Sequence, residues 1–170
     1  MIILAIGSNL SSSFGDRFEN INLAITYLEK FGIKTIKKSS FYETYAYPNK
    51  KDPKFINVII STNSKLKPSE LAKAIISVEK KLERKRITKN SPRTCDIDII
   101  DYNNKVINFI FDDRVFNVPH EKLNLRNFVL FPLKEILPEW KHPKTRDLIN
   151  HLIEKLSNED KNSILKITKP

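Results

Sequence analysis

The sequence predicts an α+β domain, with helices packed against a mainly antiparallel sheet, on three observations. Short apolar runs suited to strands alternate unevenly with apolar stripes that repeat every three to four residues. The pair Asn103-Asn104 is a two-residue turn of the kind that joins hairpin strands. Only three glycines occur in 170 residues, which excludes glycine-rich nucleotide sites of the Rossmann or Walker kind. A chain of this length is expected to form one domain, over 1–170, around one core.

Ile2 to Ile6 is a continuous apolar run that stops at Gly7-Ser8-Asn9, as a buried strand entering a loop would. Phe14, Phe18, Ile21, Ile25 and Leu28 recur at steps of four and three and form a helical stripe, with Ser11 to Ser13 available as caps and Gly32 as the stop. Ile33 to Thr44 reads as a second strand and Phe55 to Thr62 as a third. Between them, Tyr45 to Pro53 is an aromatic, proline and polar loop that either closes over a ligand or merely connects. Pro68 opens a helix whose buried stripe is Leu71, Ile75, Val78 and Leu82. Glu79 lies beside that stripe, facing solvent or the sheet edge.

Glu83 to Asn90 has no apolar periodicity and is expected to be a flexible basic loop. A strand from Asp96 to Tyr102 follows, then the Asn103-Asn104 turn and a return strand from Lys105 to about Phe109. Leu125 to Leu133 begins as a helix that Pro132 is expected to interrupt. Thr145 is placed to cap a last helix carrying Leu148, Ile149, Leu152, Ile153 and Leu156. The tail from Ser157, polar apart from Ile164 to Ile167, is expected to be partly flexible.

Composition narrows the function. Hydrophobic residues at 40% and charged residues at 29% describe a soluble globular protein. The apolar run at the start is too short for a signal peptide or a membrane span, so a cytoplasmic location without membrane contact is expected. The lone Cys95 makes no disulfide and reads as a small core residue. The net charge of +10 is explained mostly by lysines at exposed positions. The arginines are less scattered: Arg84, Arg86 and Arg93 fall within ten residues and lead directly into two acids, an arrangement suited to holding phosphates.

Those acids are the chemical centre. In an extended chain residues i and i+2 share a face, so Asp96 and Asp98 project together with their Cα atoms about 6.6 Å apart, while Ile97 and Ile99 face the core. Two like charges on one face repel unless a cation stands between them. Few hard oxygen ligands suit Mg²⁺, which takes water and substrate phosphates for the rest of its shell. Taken alone, an Asp-x-Asp also fits a strand showing its polar face to water.

Ala5-Ile6-Gly7-Ser8-Asn9-Leu10, Ser40-Phe41-Tyr42-Glu43-Thr44, Phe55-Ile56-Asn57, Pro92-Arg93-Thr94-Cys95-Asp96-Ile97-Asp98, Val118-Pro119-His120 and Arg126-Asn127-Phe128-Val129-Leu130 with Pro132-Leu133 and Glu135-Ile136 resemble the 6-hydroxymethyl-7,8-dihydropterin pyrophosphokinases of folate synthesis, from Ala5 to about Leu156. The resemblance implies a ferredoxin-like αβα sandwich with helices on both faces. It implies that the pterin hydroxymethyl oxygen attacks the β-phosphorus of ATP, the co-substrate, and that AMP leaves. It also implies that Asp96 and Asp98 hold two Mg²⁺ ions, that Arg84, Arg86, Arg93, His120 and Arg126 grip the triphosphate, and that Glu79 lies near the nucleotide. Arg84, Arg86 and Arg93 join Asp96 and Asp98 as the expected catalytic group. For the pterin it implies stacking between Phe55 and Phe128, hydrogen bonding by Asn57, and backbone contacts around Thr44, Tyr45 and Tyr47.

This chain departs from the family's pattern in three places. Asn90-Ser91 stands where Trp-Gly is common, Glu83 where a glycine often precedes the first loop arginine, and Phe55 where tyrosine is common. These changes bear on loop closure and affinity more than on chemistry. The expected partners are small molecules, with no nucleic acid, and the protein is expected to act as a monomer. A rival reading, a basic RNA- or DNA-binding module, rests on the charge and the strand aromatics. It accounts poorly for Asp96 and Asp98, which would repel a phosphate backbone. A pyrophosphoryl transferase using a different alcohol acceptor also fits, and the Asn90-Ser91 change keeps it open.

Overall fold

In a computed structural model the described residues are 1–85, 88 and 90–168. The expected loop arginine Arg86 lies outside them. The elements run β1 (Ile2–Ser8), α1 (Arg17–Lys30), β2 (Lys34–Lys38), β3 (Phe41–Thr44), β4 (Phe55–Asn63), α2 (Pro68–Lys81), β5 (Asp96–Tyr102), β6 (Ile107–Phe111), β7 (Arg114–Val118), α3 (Asn127–Ile136), α4 (Ile149–Glu154), α5 (Asn158–Asn162) and β8 (Ile164–Ile167). Six strands form one antiparallel sheet in the order β5-β1-β4-β3-β8, with β2 also on β4. Placing the first strand between the last and the third of a βαββαβ unit gives the ferredoxin-like arrangement.

Alternation along the strands divides the core in two. Ile2, Leu4 and Ile6 of β1, Ile56, Val58 and Ile60 of β4, and Ile97 and Ile99 of β5 face α1 and α2, whose Phe18, Ile21, Leu28, Leu71, Ile75 and Val78 cover them. Ile3, Ile59 and Ile100 point the other way, toward α3 and α4. Cys95 is buried in the first layer, as expected.

Several elements differ from the sequence expectation. Helix α1 starts three residues after Phe14, which is exposed, because Asp16 and Glu19 make a reciprocal capping box that the serines do not. Gly32, at φ +78°, ends it. The expected strand from Ile33 to Thr44 is split at Ser39-Ser40. The Ser39 N–H and Oγ engage the Ile59 carbonyl and N–H there, so both halves still pair with β4.

The return strand after Asn103-Asn104 does not form beyond one bridge from Lys105 to Tyr102. The chain leaves β5, and its hairpin is β6-β7, closed by Asp112-Asp113 at positive φ. Pro132 does not interrupt α3. Val129, Leu130, Leu133 and Ile136 are all buried in the second core, and that packing outweighs the one intrahelical bond a proline removes. Thr145 is no cap: its hydroxyl binds Asp147 in a turn closed by His142, and Leu148 precedes α4. The tail forms α5 and then β8, which pairs with β3.

Candidate active site

The sheet register builds the floor of the site. Tyr42, Asn57, Gly7 and Asp96 stand in one row across β3, β4, β1 and β5, and Ile59, Ala5 and Asp98 in the next. Tyr42, Asn57, Ala5, Asp96 and Asp98 therefore share the face covered by α3. Small residues on β1 keep the space between the polar strands open. A Cβ on Gly7 would lie 3.1 Å from Asn57 Oδ1, tighter than ordinary contact, so glycine leaves the Asn57 side chain where it is.

Each carboxylate of the acidic pair is met by arginines. Asp96 accepts from Arg84 Nη1 through one oxygen and pairs with Arg93 Nη2 at 2.8 Å through the other. Burial works against its charge, but the Arg84 and then the Arg93 guanidinium outweigh it and hold the carboxyl well below the usual range. Asp98 accepts from Arg126 Nη1 at 2.8 Å, and its other oxygen is 3.8 Å from Arg114 Nη2.

Glu79 reaches the same cluster from α2. It is 3% exposed. It accepts from the Ile97 N–H (2.9 Å), Arg84 Nη1 (2.7 Å) and Arg114 Nη1 (3.0 Å). Burial raises its carboxyl above the ordinary value, with Arg114 and Arg84 pulling against that rise. Arg84 also donates to the Cys95 carbonyl, and its side chain is only 9% exposed. It is a clamp between Glu79 and Asp96, less open to solvent than Arg93 at 21% or Arg126 at 23%.

His120 sits at the other side. Its Nε2 is 3.1 Å from Arg126 Nη2, and its Nδ1 accepts from the Lys122 N–H. Burial and the neighbouring Arg126 keep the ring below its usual pKa. A guanidinium beside an imidazole whose other nitrogen already accepts suits a phosphate oxygen that both can reach.

The aromatic residues flank this cationic set. Arg93 lies over the Phe55 ring at 5.1 Å and Arg126 over the Phe128 ring at 5.5 Å. Both rings are half-buried, one at the start of β4 and one in the first turn of α3. Asn57 is buried and donates to Thr44 Oγ1 (3.1 Å) and to the Tyr42 carbonyl (3.4 Å). Tyr45 and Tyr47 have exposed side chains in the connecting loop, and the contacts expected of them are through the backbone.

Sequence reasoning missed Arg114, which ties Glu79 to Asp98 and donates to the Ile97 carbonyl (3.2 Å). The signal was Asp112-Asp113, a second turn-forming pair that sets β7 beside β5. Asp98, Arg114 and His120 line a small hollow of about 40 Å³. A larger cavity of about 450 Å³ lies at the far end of β5 around Asp101, Trp140 and Arg146, away from this chemistry.

No group of three or more His, Cys, Asp or Glu side chains is placed to hold a metal among the described residues. Two aspartates on one face, both partly open to solvent, fit a hard cation that completes its shell with water and phosphate. No helix among the described residues is long and apolar enough to cross a membrane.

A family model described as 7,8-dihydro-6-hydroxymethylpterin-pyrophosphokinase matches residues 3–138. A 2-amino-4-hydroxy-6-hydroxymethyldihydropteridine pyrophosphokinase of Aquifex aeolicus is 37% identical over 142 residues, covering 84% of this chain and 83% of the relative. The folic acid synthesis protein fol1 of Schizosaccharomyces pombe is 32% identical over 157 residues, and this chain spans only 20% of its length. Among solved structures, a Plasmodium falciparum HPPK-DHPS superposes with a TM-score of 0.71 at 14% identity, over 99% of this chain and 47% of the other.

Proposed function

This chain belongs to the 7,8-dihydro-6-hydroxymethylpterin-pyrophosphokinase family, and from that premise we propose that it transfers pyrophosphate from ATP to the hydroxymethyl group of 6-hydroxymethyl-7,8-dihydropterin, yielding AMP and the pterin diphosphate for folate biosynthesis. The observation that carries this reading is the pair Asp96 and Asp98 on one face of β5, each already held by arginines. Transfer of this kind needs little covalent help from the protein; it needs positioning and neutralisation of charge.

Asp96 and Asp98 would hold two Mg²⁺ ions, which would supply neutralisation of the negative charge on the ATP phosphates. The guanidiniums now paired with those carboxylates, Arg93 and Arg126, are the ones open enough to turn to the phosphates. Arg84, fixed by Glu79, keeps Asp96 in place and ionised. Arg86 is assigned to the phosphates by resemblance alone. Phe55 and Phe128 bind the flat pterin, and Asn57, whose amide nitrogen already donates to Thr44 Oγ1 and the Tyr42 carbonyl, offers its oxygen beside Gly7 to the ring edge. The protein acts as a cytoplasmic monomer on small molecules, without nucleic acid.

Asp98→Ala tests the reading. Loss of one principal electrostatic contact should cut turnover by about 100-fold or more, read as AMP and pterin diphosphate formed at saturating substrates. Turnover near that of the unaltered protein would remove the metal assignment.

A further inference from the structure

The segment from Ser157 to Ile167 contributes no residue to the proposed chemistry, yet it is bonded to two neighbours of the pterin contacts. Asn127, 8% exposed, opens α3 one residue before Phe128. Its Nδ2 donates to the Asp160 carbonyl at 2.7 Å and to Ser163 Oγ at 3.0 Å. The Ser163 hydroxyl donates in turn to the same Asp160 carbonyl at 3.1 Å. That carbonyl belongs to the end of α5, where a helix leaves its C=O groups without intrahelical partners. An amide nitrogen carries two N–H donors, and Asn127 spends both on this segment.

The start of α3 needs such a hold. Helix ends fray, because their first N–H groups find no partner within the helix. Arg126, which precedes this one, supplies no side-chain cap, and the Phe128 ring in its first turn is only half-buried. Arg126 is itself fixed from the phosphate side, by Asp98 at 2.8 Å and His120 at 3.1 Å. The nucleotide side of the turn therefore has its own fastening, and the Phe128 side is held through Asn127.

The same segment also backs the other pterin contact. Strand β8 pairs Ile164 with Thr44 at the end of β3, and Thr44 Oγ1 accepts from Asn57 Nδ2 at 3.1 Å. Glu159 pairs with Lys50, in the loop that carries Tyr45 and Tyr47, at 2.7 Å. That pair is exposed and adds little stability, but it puts α5 beside the loop.

Resting on the proposed function, we infer that Asn127 is a positioning residue for the pterin: it ties the turn that carries Phe128 to the C-terminal segment and holds the stacking wall at its distance from Phe55. The C-terminal segment is then a brace for one substrate, with no hold on the other.

Asn127→Ala in the full chain tests this by calorimetric titration of 6-hydroxymethyl-7,8-dihydropterin, with a saturating nonhydrolysable ATP analogue and Mg²⁺ present throughout. Loss of the two hydrogen bonds should weaken pterin binding by about 10-fold. The analogue, titrated by itself with Mg²⁺, should bind within about twofold of the unaltered protein, since its contacts lie outside the brace. Steady-state kinetics should show the KM for pterin rising while kcat stays within about threefold, the pattern of a lost binding contribution.

A pterin affinity within about twofold of the unaltered protein overturns the inference, because the hydrogen bonds would then contribute nothing to the wall. An equal loss for the analogue also overturns it, by reducing Asn127 to a residue of general stability. Should Asn127→Ala not fold, Ser163→Ala decides: it removes one of the two acceptors and should weaken pterin by about threefold, and an unchanged affinity overturns the inference. An unaltered protein that binds no pterin beside the analogue overturns the functional reading, and the inference with it.

Discussion

Asp96 and Asp98 could be placed from the sequence because a strand's period of two fixes which residues share a face, whatever the strand later packs against. Cys95 and Ile97 were legible for the same reason. Arg114 was not, because its role depends on neighbours 16 and 35 residues away, and the Asp112-Asp113 turn marks the hairpin but not what the hairpin packs against. Glu79 was ambiguous for a related reason: a position beside a helix stripe becomes buried only if another element supplies cations. Arg114→Ala should lower kcat/KM by about 100-fold, the cost of losing one electrostatic contact at a site of charge transfer. Steady-state kinetics at varied ATP would read this, and a value within a few-fold of the unaltered protein would reduce Arg114 to a structural partner of Glu79.

Elements with strong periodicity, α2 above all, appear where the sequence puts them, within a residue or two. The failures are elements whose existence depends on a partner. Strand β8 has four residues, and only Ile164 and Ile167 are partly covered, so nothing in its own sequence separates it from a polar tail. Helix α3 continues past Pro132 because both of its neighbours need its buried face. Its last turn is fastened by Glu135, which accepts from Tyr42 Oη (2.8 Å), Ser40 N (3.1 Å) and Oγ (2.8 Å), with Lys166 at 3.4 Å.

Burial opposes the Glu135 charge, but the hydrogen bonds from Tyr42 and Ser40 prevail and its carboxyl titrates below its ordinary value. A carboxyl depressed on folding contributes stability that is complete above its unfolded pKa and is lost as pH falls through the folded one. Glu135→Gln should therefore cost about 1–2 kcal/mol at pH 7. Denaturant titrations should find that gap closing below about pH 4. A gap that stays constant with pH would assign the effect to packing.

At the scale of the molecule, the strand order was not legible from pattern. Alternation tells which face of a strand is buried but not which strand lies beside it, and the ferredoxin-like order was expected only through family resemblance. Charge is also a property of the whole. Thirty basic residues against twenty acidic ones leave +10, yet Arg84, Arg93, Arg114 and Arg126 are already paired with Glu79, Asp96 and Asp98. The excess sits on lysines spread over the surface, which is why net charge pointed so weakly to a nucleic-acid partner.

Among the described residues, the sheet pairs strand β5 on one side, with β1. On its outer side the Ile97 N–H goes to Glu79, the Ile97 carbonyl to Arg114 and the Cys95 carbonyl to Arg84. Side chains of the candidate site thus occupy main-chain groups that would otherwise offer a template to another molecule's strand. Glu79→Ala should accordingly do more than slow turnover: on mild heating it should self-associate, seen as rising light scattering at temperatures where the unaltered protein stays clear. The same three side chains would then serve the site and shield the outer strand from other molecules.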